Sequence, residues 1–134
     1  MPTRDFPSNR FFFLVVGDAV ALLIVTFWGF AHHGSGFDGL RWLSTFVPLL
    51  ASWAALSPWF GVYTPHIYAN PRQIWRASLA MAFGGPMAAW LRALWLGQAV
   101  TPTFVPVIAA FSALGITIWR LLWVIAVRWK KAYG

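Results

Sequence analysis

Residues 104–128 read FVPVIAAFSALGITIWRLLWVIAVR, and this stretch decides the class of the protein. A helix needs about 20 mainly apolar residues to cross the hydrocarbon core of a bilayer, and this stretch exceeds that length. It nevertheless contains Arg120, whose charge is costly at that depth unless another group compensates it. The stretch therefore predicts a membrane-spanning helix with a buried cation that either has a partner or takes part in function.

The composition extends this prediction to the whole chain. Of the 134 residues, 60% are hydrophobic and 10% are charged, and the mean hydropathy is +0.66. Soluble domains carry about 25% charged residues. The acidic residues are Asp5, Asp18 and Asp38 alone, without any glutamate. So few charges cannot cover a water-facing surface, and most of the surface is therefore expected to face lipid.

The sequence also argues against several classes of function. The net charge is +7, but the basic residues form no stripe or arm, so no nucleic-acid partner is expected. The absence of cysteine excludes disulfides and thiolate metal sites. No serine stands beside a plausible histidine base, and no glycine-rich loop has the spacing that binds phosphate. We therefore expect a protein that is not an enzyme and has no metal site.

Four stretches have the length and composition of a membrane span, namely residues 11–31, 42–62, 75–96 and 104–127. The segments that join them are short and leave no room for a separate soluble domain. The chain, residues 1–134, is thus predicted to be a single all-α domain, a bundle of four transmembrane helices. Basic residues concentrate on the side that carries both termini, which predicts that both termini are cytoplasmic.

Small residues mark the helix faces that are predicted to pack, because they let backbones approach each other in lipid. The few polar residues fall on the same faces, so the charges are predicted to point into the bundle. The predicted faces are Asp18, Ala21, Val25, Gly29 and His32 in the first span, Ser44, Pro48, Ala51 and Ala55 in the second, Ser78, Ala82, Gly85, Ala89 and Arg92 in the third, and Ala109, Ala113, Thr117 and Arg120 in the fourth.

Asp18 and Arg120 are predicted to form an intramembrane ion pair. Both lie about seven residues from the cytoplasmic end of their spans, hence roughly 10 Å deep at about 1.5 Å per residue. Either charge alone would be costly, so pairing between the first and last helices is expected. Two interpretations stay open: a structural pair that fixes helix register, and a protonatable carboxylate in a transport path.

The opposite end of the bundle carries a second polar cluster, which is a candidate ligand-binding or lipid-binding site. Candidate partners for its third-span arginine are an aspartate of the first loop, backbone carbonyls at helix ends, and a lipid phosphate. Adjacent histidines point to different faces of a helix, so a shared metal is not expected. A single histidine that ligates a chlorophyll-type pigment stays open. The cluster comprises His32, His33, Asp38, Arg41 and Arg92.

Short motifs occur within the predicted spans: Gly17-Asp18-Ala19, Gly29, His32, Ala88-Ala-Trp-Leu-Arg92, Phe104-Val, Phe111, Leu114-Gly and Trp119-Arg120. They resemble DUF3054, a domain of unknown function in uncharacterised bacterial membrane proteins, over nearly the whole chain. The family pattern corresponds here to Asp18, Leu91-Arg92 and Trp119-Arg120. The loops and the tryptophan richness carry no family signature. The resemblance implies a four-helix, multi-pass protein of the bacterial cytoplasmic membrane; the family has no established activity, so it indicates architecture and not mechanism.

The leading functional interpretation is an accessory or structural subunit of a larger membrane complex. Its aromatic flanks, drawn from 10 tryptophans and 12 phenylalanines, would contact lipid or an apolar cofactor such as a pigment or quinone. Its partners would be membrane lipid and other membrane-protein subunits or further copies of itself. The alternative is a homodimeric small transporter or channel, for an anion, with Asp18, Arg120 and Arg92 in the path. A third interpretation is an anionic lipid head group bound at Arg92.

Overall fold

The structure is a computed structural model that describes residues 8–32, 42–68 and 70–133. All regular elements in these ranges are helical. They are α1 (Ser8–His32), α2 (Leu43–Leu56), α3 (Pro65–Tyr68), α4 (Trp75–Leu96) and α5 (Phe104–Tyr133), with 3-10 turns at Ser57–Phe60 and Pro71–Gln73. We call residues 57–74, which join α2 to α4 and include α3, the connector.

Four helical segments are long and apolar enough to cross a membrane, namely Phe11–Gly29, Leu43–Phe60, Pro71–Leu96 and Phe104–Trp129. The predicted all-α bundle with four candidate membrane-spanning helices is therefore confirmed, and the chain has the features of a multi-pass membrane protein. The cytoplasmic location of both termini stays a prediction.

The helix bounds differ most from the predicted spans at two places. The α-helix α2 ends at Leu56, before the predicted end of the second span, and Pro58, which has no N–H to donate to a preceding carbonyl, lies just beyond that end. The chain continues from there as a 3-10 turn. Helix α5 continues to Tyr133, beyond the predicted end at residue 127. Both ends lie on the side of the bundle that also holds the connector.

The long helices form a closed ring in the order α1, α2, α4, α5. Helix α4 makes the most extensive contacts, with α2 on one side and α5 on the other, and α1 packs against α5 and, less extensively, α2. The connector, the first turns of α1 and the last turns of α5 share one end, which we call the connector end. The core between the helices contains Leu22, Leu49, Trp53, Met81, Ala88 and Ile116.

Small residues bring α4 and α5 into close contact, as their predicted faces require. A Cβ atom on Gly85 would overlap the backbone of Ala109, so the two helices touch without a side chain between them. Nearer the connector end, the hydroxyls of Ser78 and Thr117 share a hydrogen bond.

The predicted packing face of α2 is wrong in part. Ala51 and Ala55 are exposed, and α2 instead buries Leu49, Ser52 and Trp53. A helix that turns Trp53 inward turns the residues two positions before and after it outward, because successive residues are 100° apart. On α4 the predicted Ala82 is likewise exposed.

Two of the buried hydroxyl side chains satisfy their hydrogen bonds within their own helix. Thr26 donates to the carbonyl of Leu22 at 2.9 Å, and Ser112 donates to the carbonyl of Ile108. Each bond spans four residues, the usual arrangement for a hydroxyl in a membrane helix. These residues therefore contribute little polarity to the interior, and the strongest polar contact in it is made by Asp18.

Candidate functional site

Asp18 and Arg120 meet between α1 and α5 as a bidentate ion pair. Arg120 Nε donates to Asp18 Oδ1 at 2.9 Å, and Nη2 donates to Oδ2 at 2.7 Å. Asp18 is 1% exposed and Arg120 is 3% exposed. The predicted ion pair is therefore present, with the parallel geometry that gives charge-assisted hydrogen bonds both strength and direction.

Two groups from the connector complete the site. The phenol of Tyr63 donates to Asp18 Oδ2 at 2.6 Å and accepts a hydrogen bond from Trp53 Nε1 at 2.8 Å. The carbonyl of Val62 accepts from Arg120 Nη1 at 2.8 Å. Burial, together with the charge of Asp18, raises the pKa of Tyr63, so the phenol stays neutral and remains a donor.

Aromatic rings flank the guanidinium group of Arg120. Its Cζ lies 5.1 Å from the ring centroid of Tyr63 and 5.7 Å from that of Trp53. Both distances are within the range of cation–π attraction, which is stronger away from water. The cation is therefore held by a carboxylate, a carbonyl and two rings, all supplied by this chain.

Gly17 explains how α1 and α5 come close enough for the pair to form. A Cβ atom at this position would overlap the six-membered ring of Trp119, so the ring lies directly on the glycine backbone. The dipeptide Gly17-Asp18 thus faces the dipeptide Trp119-Arg120: the glycine receives the ring, and the aspartate receives the guanidinium. Two motifs that are separated by most of the chain form one contact.

Local hydrogen bonds fix the shape of the connector. Arg76 Nε donates to Gln73 Oε1 at 2.7 Å, and its Nη1 donates to the carbonyl of Phe60 at 3.3 Å. Asn70 begins the second 3-10 turn, where its side-chain oxygen accepts from the backbone N–H of Arg72 at 3.0 Å. These bonds hold the two ends of the connector near each other and so position Val62 and Tyr63 against the ion pair.

The second predicted arginine has partners that the sequence did not indicate. Arg92 Nε donates to Thr45 Oγ1 of α2 at 3.1 Å, and its Cζ lies 5.0 Å from the ring centroid of Phe104. These contacts join α2, α4 and α5 at the end of the bundle opposite the connector.

The structure describes only part of the rest of that predicted cluster. His32 ends α1, whereas His33, Asp38 and Arg41 lie outside the described residues. An anionic lipid head group at Arg92 stays a prediction.

The sequence predicted the ion pair but not the groups around it. Tyr63, Trp53 and the Val62 carbonyl were missed because periodicity places side chains on helices and says nothing about how a connector folds. One signal was available: Tyr63 follows the second span on the same side of the membrane as Asp18 in the predicted layout, and a buried phenol needs a hydrogen-bond partner.

None of the curated proteins and none of the solved structures matches this chain. One family model, described as "Protein of unknown function (DUF3054)", matches residues 15–123, a range that includes Asp18, the whole connector and Arg120. The resemblance expected from the short motifs is thereby confirmed over most of the chain. The protein belongs to the DUF3054 family.

Proposed function

We propose that this protein is a non-catalytic accessory subunit of a larger complex in the bacterial cytoplasmic membrane. The observation that carries the proposal is the closed state of the Asp18 carboxylate. Oδ1 accepts from Arg120, and Oδ2 accepts from both Arg120 and Tyr63. A carboxylate that binds a substrate or relays a proton needs a free oxygen, whereas this one is engaged on both sides by its own chain.

The energetics of such a pair also favour a structural role. Removal of one partner from a buried ion pair costs about 3–5 kcal/mol, because the other charge is left uncompensated. The pair therefore penalises any arrangement in which α1 and α5 separate or slip in register. A residue pair with this effect specifies one packing of the bundle and leaves the outer surface to make external contacts.

The outer surface supports a role in contacts with lipid and with other subunits. Large aromatic side chains remain exposed on every long helix except α2, and Trp59 is exposed next to α2. Such rings favour the membrane–water interface and are also enriched in protein interfaces. Lipid acyl chains, an apolar cofactor such as a pigment or quinone, and neighbouring membrane proteins all fit this chemistry. The exposed rings include Phe12, Trp28, Trp59, Trp90, Trp95, Phe111 and Trp129.

The test is purification from native membranes in a mild detergent, with the complete tagged chain. We expect the protein to elute with a reproducible partner in a complex much larger than its own 15.0 kDa. Two variants test which helix surface contacts the partner. One replaces two exposed rings of α1, Phe12→Ala with Trp28→Ala, and the other replaces an exposed ring of α5, Phe111→Ala. If membranes that are cross-linked before solubilisation also yield only the free chain, the proposal is contradicted.

A homodimeric anion transporter is the second candidate, and one observation favours it: Arg120 is buried and Arg92 partly buried within the bundle, whereas Asp18 is the one carboxylate among the described residues. Asp18→Asn should then abolish anion flux into liposomes when flux is normalised to the amount of folded protein. The accessory role predicts no flux for either protein and lower stability for the variant. The two candidates are therefore separated by the flux of the unaltered chain.

A further inference from the structure

A narrow crevice beside the connector reaches the buried side of the Asp18–Arg120 pair. Its walls include Val62, Tyr68, Gln73 and Ile74 of the connector and Ala77 of α4, and Arg120 also lines it. The crevice thus joins a surface segment of the chain to a guanidinium group that is only 3% exposed. The accessory role proposed above makes no use of this feature.

The guanidinium group of Arg120 still has hydrogen-bonding capacity. Arginine carries five N–H bonds. Three of them donate within the described residues, to Asp18 Oδ1, Asp18 Oδ2 and the Val62 carbonyl, which leaves two without an acceptor there. Buried polar groups of this kind are normally satisfied by protein or by an ordered water molecule. The crevice is the space from which such a molecule can reach Arg120.

The size and charge of the crevice define the ligand. It leaves about 10 Å³ for the centre of a water molecule, close to the minimum of roughly 10–15 Å³ at which a cavity holds one. An organic substrate does not fit this space. An anion is disfavoured because Asp18 already neutralises Arg120, and the other residues named in the walls carry no charge. Tyr68 and Gln73 add polar atoms to the lining, which a buried water requires.

We propose that the crevice is a hydration site, in which water that enters beside the connector binds the free N–H groups of Arg120. The ion pair is then wet on the connector side and dry toward the centre of the bundle. Water on one side lowers the free-energy cost of burying the charges. Through the crevice, this water can exchange with the aqueous phase on the connector side. This inference stands apart from the accessory role, since it concerns only the folded chain.

Single-cysteine variants test the proposal, because the natural chain contains no cysteine. Val62→Cys places a thiol in the crevice wall, and Val124→Cys is its control, since the two valines are 1% and 2% exposed and only the first lines the crevice. Ala77→Cys and Ala89→Cys form a second pair, in which each alanine is 3% exposed and only Ala77 lines the crevice. The exchange of valine for cysteine preserves shape, so the first pair is expected to keep the fold.

The probe is Ag⁺, a cation of about the size of water, added as silver nitrate to the purified chain in chloride-free detergent solution. Silver replaces the thiol proton and forms a silver–sulfur bond. The protein is then unfolded, and the remaining thiols are labelled with N-ethylmaleimide and measured by mass spectrometry. We expect maleimide labelling to be lost at positions 62 and 77 and retained at positions 124 and 89.

Two results would overturn the hydration site. If the thiols at positions 62 and 77 remain as protected as those at 124 and 89, the crevice is dry. If all four thiols react, water reaches the core without using this route. Neither result depends on a partner protein, so failure here is distinguishable from failure of the accessory role. Equal unfolding midpoints within each pair show that the comparison is between folded proteins.

Discussion

Arg120 and Arg92 lie near opposite ends of the bundle, and the structure buries them to different extents. At the connector end, Arg120 is 3% exposed and binds a carboxylate, a backbone carbonyl and two aromatic rings. At the opposite end, Arg92 is only partly buried, and its described contacts include the hydroxyl of Thr45 and one ring, Phe104. The deeper cation has a buried counter-charge, Asp18, directly against it.

Depth changes the cost of an arginine in a membrane bundle. An arginine near a helix end can extend its charged group toward the interface, where water and lipid head groups lower that cost. A deeply buried arginine needs an opposite charge and hydrogen-bond acceptors close to it. For Arg120, α1 supplies the charge through Asp18, and the connector supplies an acceptor, the carbonyl of Val62.

The largest expected effect is the removal of one charge from the deep pair. Asp18→Asn should lower the free energy of unfolding by about 3–5 kcal/mol, because Arg120 stays buried and loses its counter-charge. The measurement is SDS-induced unfolding of the protein in a mild detergent. The double variant Asp18→Leu with Arg120→Met should recover most of the loss, since it removes both charges at once. A single variant as stable as the unaltered chain would show that the pair contributes nothing.

A steric change at the same end ranks second. Gly17→Leu should cost about 3 kcal/mol, the upper part of the range for overpacking, because the side chain must displace the ring of Trp119. Gly29→Leu is the matched control on the same helix, since a Cβ atom at Gly29 meets nothing within 4 Å. Unfolding of both variants is compared under the same conditions. Equal losses would mean that the ring contact does not join α1 to α5.

The hydrogen bonds of Tyr63 rank third. Tyr63→Phe should cost about 1–2 kcal/mol, because Asp18 loses a donor and the indole N–H of Trp53 loses its acceptor. Tyr68→Phe is the comparison in the same connector, because its phenol lines the crevice beside Arg120 but makes no described hydrogen bond to Asp18, so a smaller loss is expected. Thermal unfolding followed by tryptophan fluorescence also reports the changed surroundings of Trp53. If Tyr68→Phe lowered the stability more than Tyr63→Phe, the phenol of Tyr68 and not that of Tyr63 would be the one that stabilises this end of the bundle.

The smallest expected effect lies at the opposite end. Arg92→Gln removes the cation–π contact with Phe104, which is worth about 1 kcal/mol near the surface, and should cost less than Asp18→Asn because Arg92 is only partly buried. Thr45→Val tests the hydrogen bond to the same arginine separately and should have a similar effect. SDS titration is again the measurement. If Arg92→Gln lowers the free energy of unfolding as much as Asp18→Asn does, the two ends of the bundle contribute equally to stability, contrary to the prediction.

The residues that the sequence predicted correctly are those whose positions follow from helix geometry. The depths of Asp18 and Arg120 come from counting residues at a constant rise, and their pairing follows because two lone charges in lipid are costly. The packing faces that hold Gly85 and Ala109 belong to the same class, since small residues at regular spacing define a face. Regular helices make such inferences reliable over long distances in sequence.

The residues that could not be predicted depend on irregular backbone or on competition between side chains. The carbonyl of Val62 points at Arg120 only because Pro58 ends α2 and the connector folds back. Ala51 and Ala55 were expected inside, but the bulkier Trp53 occupies the interior. A pattern of small residues shows where helices can approach, and it does not show which of two faces buries the larger apolar area.

The contact between Gly17-Asp18 and Trp119-Arg120 has a consequence for biogenesis. Helix α1 is synthesised first and α5 last, so Asp18 enters the membrane well before its counter-charge exists. Until α5 inserts, the growing chain carries an uncompensated carboxylate in lipid, which is costly. The ion pair thus distinguishes a finished chain from a truncated one, because a chain that stops before α5 leaves Asp18 without its counter-charge.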